Sequence, residues 1–169
     1  MSVIAGSYDE AVDEAARIAA AEPGGLLIQD TAWPGYETVP QWIVDGYATL
    51  VGELDEQLRD VGVEAPDLVA VPVGVGSLAQ AVIAHYRRPG LPRHTAVLSV
   101  EPDSAACTVA SLQAGRPVTV PTGATVMAGL NCGPLSSLAW PVIAAGLDAA
   151  VAVPDADTVR AVDDLGALG

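Results

Sequence analysis

Asp67-Leu68-Val69-Ala70-Val71-Pro72-Val73-Gly74-Val75-Gly76-Ser77-Leu78-Ala79 is the stretch that decides the fold. Its first half is an apolar run rich in β-branched residues, the pattern of a buried strand. Pro72 has no N–H for a ladder, so it confines the strand to an edge or marks its end. The glycines that follow permit a tight turn and a close backbone approach. Leu78 to Tyr86 then reads as a helix finished by Arg87, Arg88, Pro89 and Gly90, with its basic residues where the helix dipole prefers them.

The same alternation extends outward. Downstream, Ala96-Val97-Leu98-Ser99-Val100 is a second strand with Glu101 at its end, and Ser104 to Leu112 is expected to be helical. Gly115 to Pro134 is broken by Gly and Pro and reads as irregular. A helix over Leu138 to Ala145, a strand over Ala149 to Val153 and a helix over Asp155 to Leu165 complete the chain. Upstream, Ser7-Tyr8-Asp9-Glu10 has the spacing of a capping box and opens a helix that stops before Pro23-Gly24-Gly25. Leu26-Leu27-Ile28-Gln29 reads as a short strand and Asp30 to Pro40 as a loop. Ile43, Tyr47, Leu50, Leu54 and Leu58 then recur at helical spacing. The expected fold is α/β: a three-layer, mostly parallel sheet with helices on both faces and ligand loops at the carboxyl ends of its strands.

Composition narrows the chemistry. The chain has 169 residues, enough for one ordinary domain, and no apolar run long enough for a spanning helix. It carries seven Arg, no Lys and no Phe against 21 Asp+Glu, a net charge of −14. Such a surface repels nucleic acid and anionic membranes. A reaction that needs a lysine amine cannot be completed by this chain alone. Two cysteines without CxxC spacing, Cys107 and Cys132, fit a reducing compartment and no zinc site. His85 and His94 are isolated and are expected at the surface. The N-terminus has neither a basic region nor a long apolar one, so the expected location is cytoplasmic.

Three segments carry chemistry. Gly74-Val75-Gly76-Ser77, between a strand and a helix, turns backbone amides toward an anion without a basic side chain. The same spacing serves an ordinary βα turn. It also permits a dinucleotide site, with Glu101 as the ribose acid. Asp30, at the end of its predicted strand and near Trp33, Tyr36 and Trp42, is a candidate proton-transfer carboxylate or a simple cap. Met127 to Gly133, feeding the helix that contains Trp140, is either a pocket wall or a loop packed beneath that helix.

Taken in order, these segments resemble diaminopropionate ammonia-lyase, a pyridoxal-phosphate (PLP) enzyme of fold type II, the tryptophan-synthase-β-like group. The most specific parts are Gln-Asp-Thr-Ala-Trp-x-Gly-Tyr at 29–36, Pro-x-Trp-Ile at 40–43, Gly-Val-Gly-Ser at 74–77 and Val-Glu-Pro-Asp at 100–103. Met-Ala-Gly-Leu-x-Cys-Gly at 127–133 and Leu-Ala-Trp at 138–140 add to them. The resemblance implies α,β-elimination of 2,3-diaminopropionate to pyruvate and ammonia. It implies that Gly74, Val75, Gly76 and Ser77 cradle the PLP phosphate and that Asp30 moves a proton. Thr31, Trp33, Tyr36, Gly129 and Asn131 would line the substrate pocket.

The family's chain is more than twice as long, and the matched part lacks the lysine that forms the Schiff base, the ring-contacting Asn loop and the group facing the pyridine nitrogen. Residues 1–30 would then be a remnant of a small-domain edge and 31–169 the main portion. PLP would be held non-covalently at most. A small amino acid is the implied substrate, and a lysine-bearing complementary chain or a homo-oligomer the implied partner. A non-catalytic phosphate- or PLP-binding module is the alternative. Four structural expectations follow: exposed sheet edges with one exposed apolar face, Cys107 near Cys132, Glu101 capping at its strand end, and Asp30 in one cavity with Gly74–Ser77. A branched side chain at Gly76 is expected to occupy the anion's approach.

Overall fold

The computed structural model describes residues 3–91 and 94–168. The described elements are α1 (Tyr8–Ala21), α2 (Thr38–Asp60), β1 (Leu68–Pro72), α3 (Ser77–Tyr86), β2 (Ala96–Pro102), α4 (Cys107–Ala114), α5 (Ala139–Gly146), β3 (Ala149–Val153) and α6 (Asp155–Leu168), with 3₁₀ turns at Asp103–Ala105 and Ala128–Leu130. The sheet is parallel throughout, in the order β1-β2-β3, with Leu68 opposite Ala96 and Leu98 opposite Ala149. This is the α/β class expected. Pro72 is the last residue of an edge strand, so its missing N–H breaks no ladder.

One sheet face carries the core. Val71 and Val97 pack with Ala79, Val82, Ile83 and Tyr86 of α3, Val51 of α2, and Ala139 and Ile143 of α5. Side chains alternate along a strand, so Leu68, Ala70, Leu98, Ala149 and Val151 share the opposite face. There Leu68 is 56% and Val151 37% exposed. One face is thus apolar and incompletely covered, as the sequence led us to expect.

Three elements differ from the sequence reading. Residues 26–29 form no strand: Leu26 and Ile28 are exposed and no neighbouring strand pairs with them among the described residues. A strand without a partner leaves its backbone groups to other bonds, and here the Tyr36 hydroxyl donates to the Leu27 carbonyl (2.8 Å) and accepts from the Gln29 N–H (3.2 Å). The second helix begins at Thr38 rather than near Ile43, because Pro40 falls in its first turn, where no intrahelical N–H is needed. The helix expected over 104–112 is split at Ala106. The buried Glu101 carboxylate accepts from the Thr108 and Val109 amides at 2.9 and 2.8 Å and so fixes where α4 starts.

The amino ends of the strands are tied by Arg87. Its guanidinium donates to the carbonyls of Gly146 and Thr95 and pairs with Asp148, whose carboxylate also accepts from the Val97 N–H at 2.7 Å. His94 is at the surface, paired with Asp148. His85 is not a surface residue: α3 packs on α2, and its Nε2 lies 2.7 Å from Asp55, which Arg88 also approaches. No helix among the described residues is long and apolar enough to cross a membrane.

Candidate active site

The geometry begins with Gly76. It is the N-cap of α3 and sits at φ +98°, a left-handed conformation that glycine adopts without strain. No side chain caps α3. The first amide of that turn with a helical acceptor is Gln80 N–H, bonded to Gly76 O at 2.8 Å. The leading N–H groups, at Ser77, Leu78 and Ala79, precede the first such bond. They carry the positive end of the helix dipole and suit an anion.

These amides open on a cavity of about 230 Å³ lined by Tyr8, Asp30, Tyr47, Pro72, the 74–78 turn, Gly129, Leu130 and Cys132. Asp30 and the glycine turn therefore share one space, although Asp30 does not leave a strand. What holds it there is a set of long-range bonds. The Ser77 hydroxyl donates to the Asp30 carbonyl at 3.0 Å, Ala32 N–H donates to the Ser136 hydroxyl at 3.0 Å, and Ser137 N–H donates to Ala32 O at 3.0 Å.

The other candidate residues separate from this cavity. Trp33 and Tyr36 stack on each other, with ring centroids 4.6 Å apart, and the Tyr36 hydroxyl braces residues 27–29. Thr31 does not line the cavity: Gln29 Oε1 accepts from its N–H at 2.6 Å, and its hydroxyl lies 3.4 Å from that of Tyr8. Asn131 donates to the Gly123 carbonyl at 2.9 Å, while Gly129 alone of the substrate-pocket set lines the cavity. Trp42 is 64% exposed. Leu130 and Cys132, from the 127–133 segment read as a possible pocket wall, line the cavity, as do Tyr8 and Tyr47, which the sequence does not mark as site residues. The helical period explains Tyr47 as a core position, and Tyr8 reads only as the residue after a cap.

Glu101 faces away from the cavity and caps α4, so the acid a ribose would require is engaged elsewhere. Burial, opposed by the Val109 and Thr108 amides, pushes its carboxyl above the usual range. Cys107 and Cys132 flank Gly74. The Cys107 thiol donates to Gly74 O at 3.6 Å, and a Cβ on Gly74 would lie 3.1 Å from Cys132 Sγ. Both are free and buried. Burial, Glu101 and Cys132 raise Cys107 to about 12, and burial with Asp9 and Asp30 raises Cys132 to about 11. Both thiols stay protonated and unreactive at neutral pH.

A family model described as pyridoxal-phosphate dependent enzyme matches residues 1–168. The chain belongs to that family. The diaminopropionate ammonia-lyase of Salmonella typhimurium is 40% identical over 141 residues, 81% of this chain and 34% of that protein. The Escherichia coli K12 enzyme of the same name is 41% identical over 125 residues, 73% of this chain and 31% of that one. Among solved structures, the Escherichia coli diaminopropionate ammonia lyase in complex with D-serine is similar with a TM-score of 0.76 at 35% identity, covering 88% of this chain and 36% of that chain. A threonine deaminase from T.th. is similar with a TM-score of 0.64 at 28% identity, covering 70% and 39%. The chain spans about a third of the length of the curated relatives it matches.

The cofactor of this PLP-dependent family tests the cavity from both ends. Its phosphate fits: the 74–78 turn lines the space, Gly74 leaves room there, the leading α3 amides have no helical acceptor, and no acidic side chain belongs to the turn. The aldehyde end does not find its usual anchor, since all seven basic residues are Arg. Gly76 departs from expectation. A Cβ there would not enter the anion's approach but would meet Ala139 Cβ at 2.9 Å and Ile143 Cδ1 at 3.0 Å on α5. Gly76 is glycine for packing and φ, and Gly74 is the position where a side chain would press on the cavity wall, through Gly129 O at 3.3 Å.

Proposed function

We propose that this chain is the phosphate-holding and proton-transferring portion of a PLP-dependent ammonia-lyase that carries out α,β-elimination on 2,3-diaminopropionate, giving pyruvate and ammonia. The observation that carries the reading is the single cavity shared by Asp30 and the Gly74–Ser77 turn, in a chain 40% identical to such a lyase. When bound, the cofactor supplies an electron sink that acidifies the substrate's α-hydrogen.

The chain's own residues do the rest of what it contributes. The leading α3 amides at Ser77 and Leu78, beside the Gly74–Gly76 turn, hold the phosphate without a counter-cation, and the Ser77 hydroxyl fixes the Asp30 backbone beside them. Asp30, half-buried at the cavity wall, receives or returns a proton at the reacting carbon or the leaving amine. The half-buried residues Tyr47 and Leu130 limit water on that side. The lysine comes from outside these 169 residues, on a complementary chain or in further sequence, and residues 1–30 form the edge of a smaller unit beside the 31–169 portion.

The test has two arms. Equilibrium dialysis of the chain with PLP, competed by inorganic phosphate, should show weak reversible binding. Borohydride treatment followed by peptide mass mapping should find no adduct except at the N-terminal amine. Ammonia release from D- or L-2,3-diaminopropionate should be at buffer level for the chain alone. It should appear when a lysine-bearing polypeptide spanning the missing part of the relatives is supplied, and vanish with Asp30→Asn. Turnover by the chain alone, or binding that phosphate does not compete, would overturn the proposal.

A further inference from the structure

We propose that Tyr8 is the positioning residue of Asp30, a hydroxyl rotor set between Asp30 and Thr31 that satisfies the carboxyl group in both of its protonation states. Tyr8 is the first residue of α1, and the capping box fixes it there. Ser7 Oγ accepts from the Glu10 N–H at 3.2 Å and Glu10 Oε2 accepts from the Ser7 N–H at 2.7 Å. From that place the phenol donates to Asp30 Oδ1 at 3.0 Å and lies 3.4 Å from Thr31 Oγ1. Both Tyr8 and Asp30 line the cavity.

The backbone of Asp30 is pinned by Ser77, and its neighbours are pinned by Gln29 and Ser136. What remains free is the carboxyl torsion. Among the described residues the donor that restrains it is Tyr8.

A phenol has one hydrogen to give. With Asp30 ionised, the hydrogen points to Oδ1. Once Asp30 has taken up a proton, the new O–H donates to the phenol oxygen and the Tyr8 hydrogen swings to Thr31 Oγ1. Each state keeps the carboxyl group and the phenol paired, and Tyr8 neither gains nor loses a proton. The phenol is suited to this and not to acid–base work. Burial raises its pKa, the Thr31 bond lowers it, and the Asp30 charge and hydrogen bond raise it again, to about 12. It stays a donor at neutral pH. That the proton reaching Asp30 comes from substrate rests on the lyase reading, whereas the rotor stands on the hydrogen bonds alone.

The chain itself can be tested, with 3-fluorotyrosine incorporated to bring phenol titration into a range the fold tolerates. Tyr8→Phe assigns the Tyr8 ¹⁹F resonance among the four tyrosines. Asp30→Asn should lower its titration midpoint by about one pH unit through loss of the adjacent charge, and Thr31→Val should raise it. A tyrosine not in contact with Asp30 and Thr31 would shift in neither variant, and a midpoint unmoved by Asp30→Asn overturns the proposal. PLP binding by the same samples separates the two readings. The Asp30-dependent shift without PLP binding supports the rotor while sinking the lyase assignment, and PLP binding without the shift sinks the rotor and leaves the lyase reading intact.

Discussion

At the amino ends of the strands, Arg87, Asp148, His94, His85, Asp55 and Arg88 all have partners, and those partners are charged side chains or backbone groups of other elements. At the carboxyl ends residues 74–78 line a cavity instead, and no side chain caps the helix that begins at Ser77. The first arrangement ties elements together; the second leaves donors available for something that is not protein. Unpaired donors lower stability, so the contrast says which edge the fold depends on and which edge function uses.

The largest effect that would break this contrast is at Gly76. Gly76→Ala should cost about 3 kcal/mol, from left-handed strain plus the contacts with Ala139 and Ile143. Gly90 has a similar φ of +85° with open space around its Cβ position, so Gly90→Ala should cost only about 1 kcal/mol. Urea unfolding of the two variants decides it, and equal losses would mean that α5 does not press on the turn. Next, Asp148→Ala removes the acceptor of the Val97 amide and the partner of Arg87. Roughly 2 kcal/mol of stability should go, with PLP and phosphate binding unchanged. Weakened binding in that variant would show that the two edges are not separable.

Acid sharpens the same point. Burial opposes ionisation of Asp148, but the Val97 amide, His94 and Arg87 outweigh it and hold the carboxyl below its ordinary range. His85 and Arg88 do the same for Asp55 against burial. Depressed folded values contribute stability that is complete above about pH 4 and is lost as the pH falls through them. The stability gap between wild type and Asp148→Ala should therefore close below about pH 4, and a gap that widens there would reverse the assignment. The smallest effect on folding belongs to Gly74→Ala, below about 1 kcal/mol, since the 129–132 segment need give only a few tenths of an ångström. Its dialysis signal with phosphate should nevertheless drop several-fold.

How far the sequence could be read follows from where the interactions lie. β1, α3, β2 and β3 were legible because a buried strand and its following helix write their environment into consecutive residues. Leu26 to Gln29 is apolar enough to suggest a strand, but pairing is a property of a neighbour, and among the described residues Tyr36 serves it. The glycine turn was visible at 74–77, while the reason for Gly76 lies at residues 139 and 143. Trp33 and Tyr36 looked like pocket walls because they sit next to Asp30 in sequence. They satisfy each other instead. Tyr8 was invisible as a partner of Asp30, since a separation of 22 residues carries no periodic signal.

The bonds that seat Asp30 also set a timetable. Its carbonyl is held by Ser77, 47 residues on, and the next residues by Ser136 and Ser137, with a span of 104 residues from Ala32 to Ser136. Contacts between distant parts of a chain form after the loops between them have closed. The sheet's first pair, β1 with β2, needs only the residues between Leu68 and Pro102. The cavity therefore assembles after the scaffold beneath it, and a nascent chain released before residue 136 would seat the Asp30 backbone through Ser77 alone.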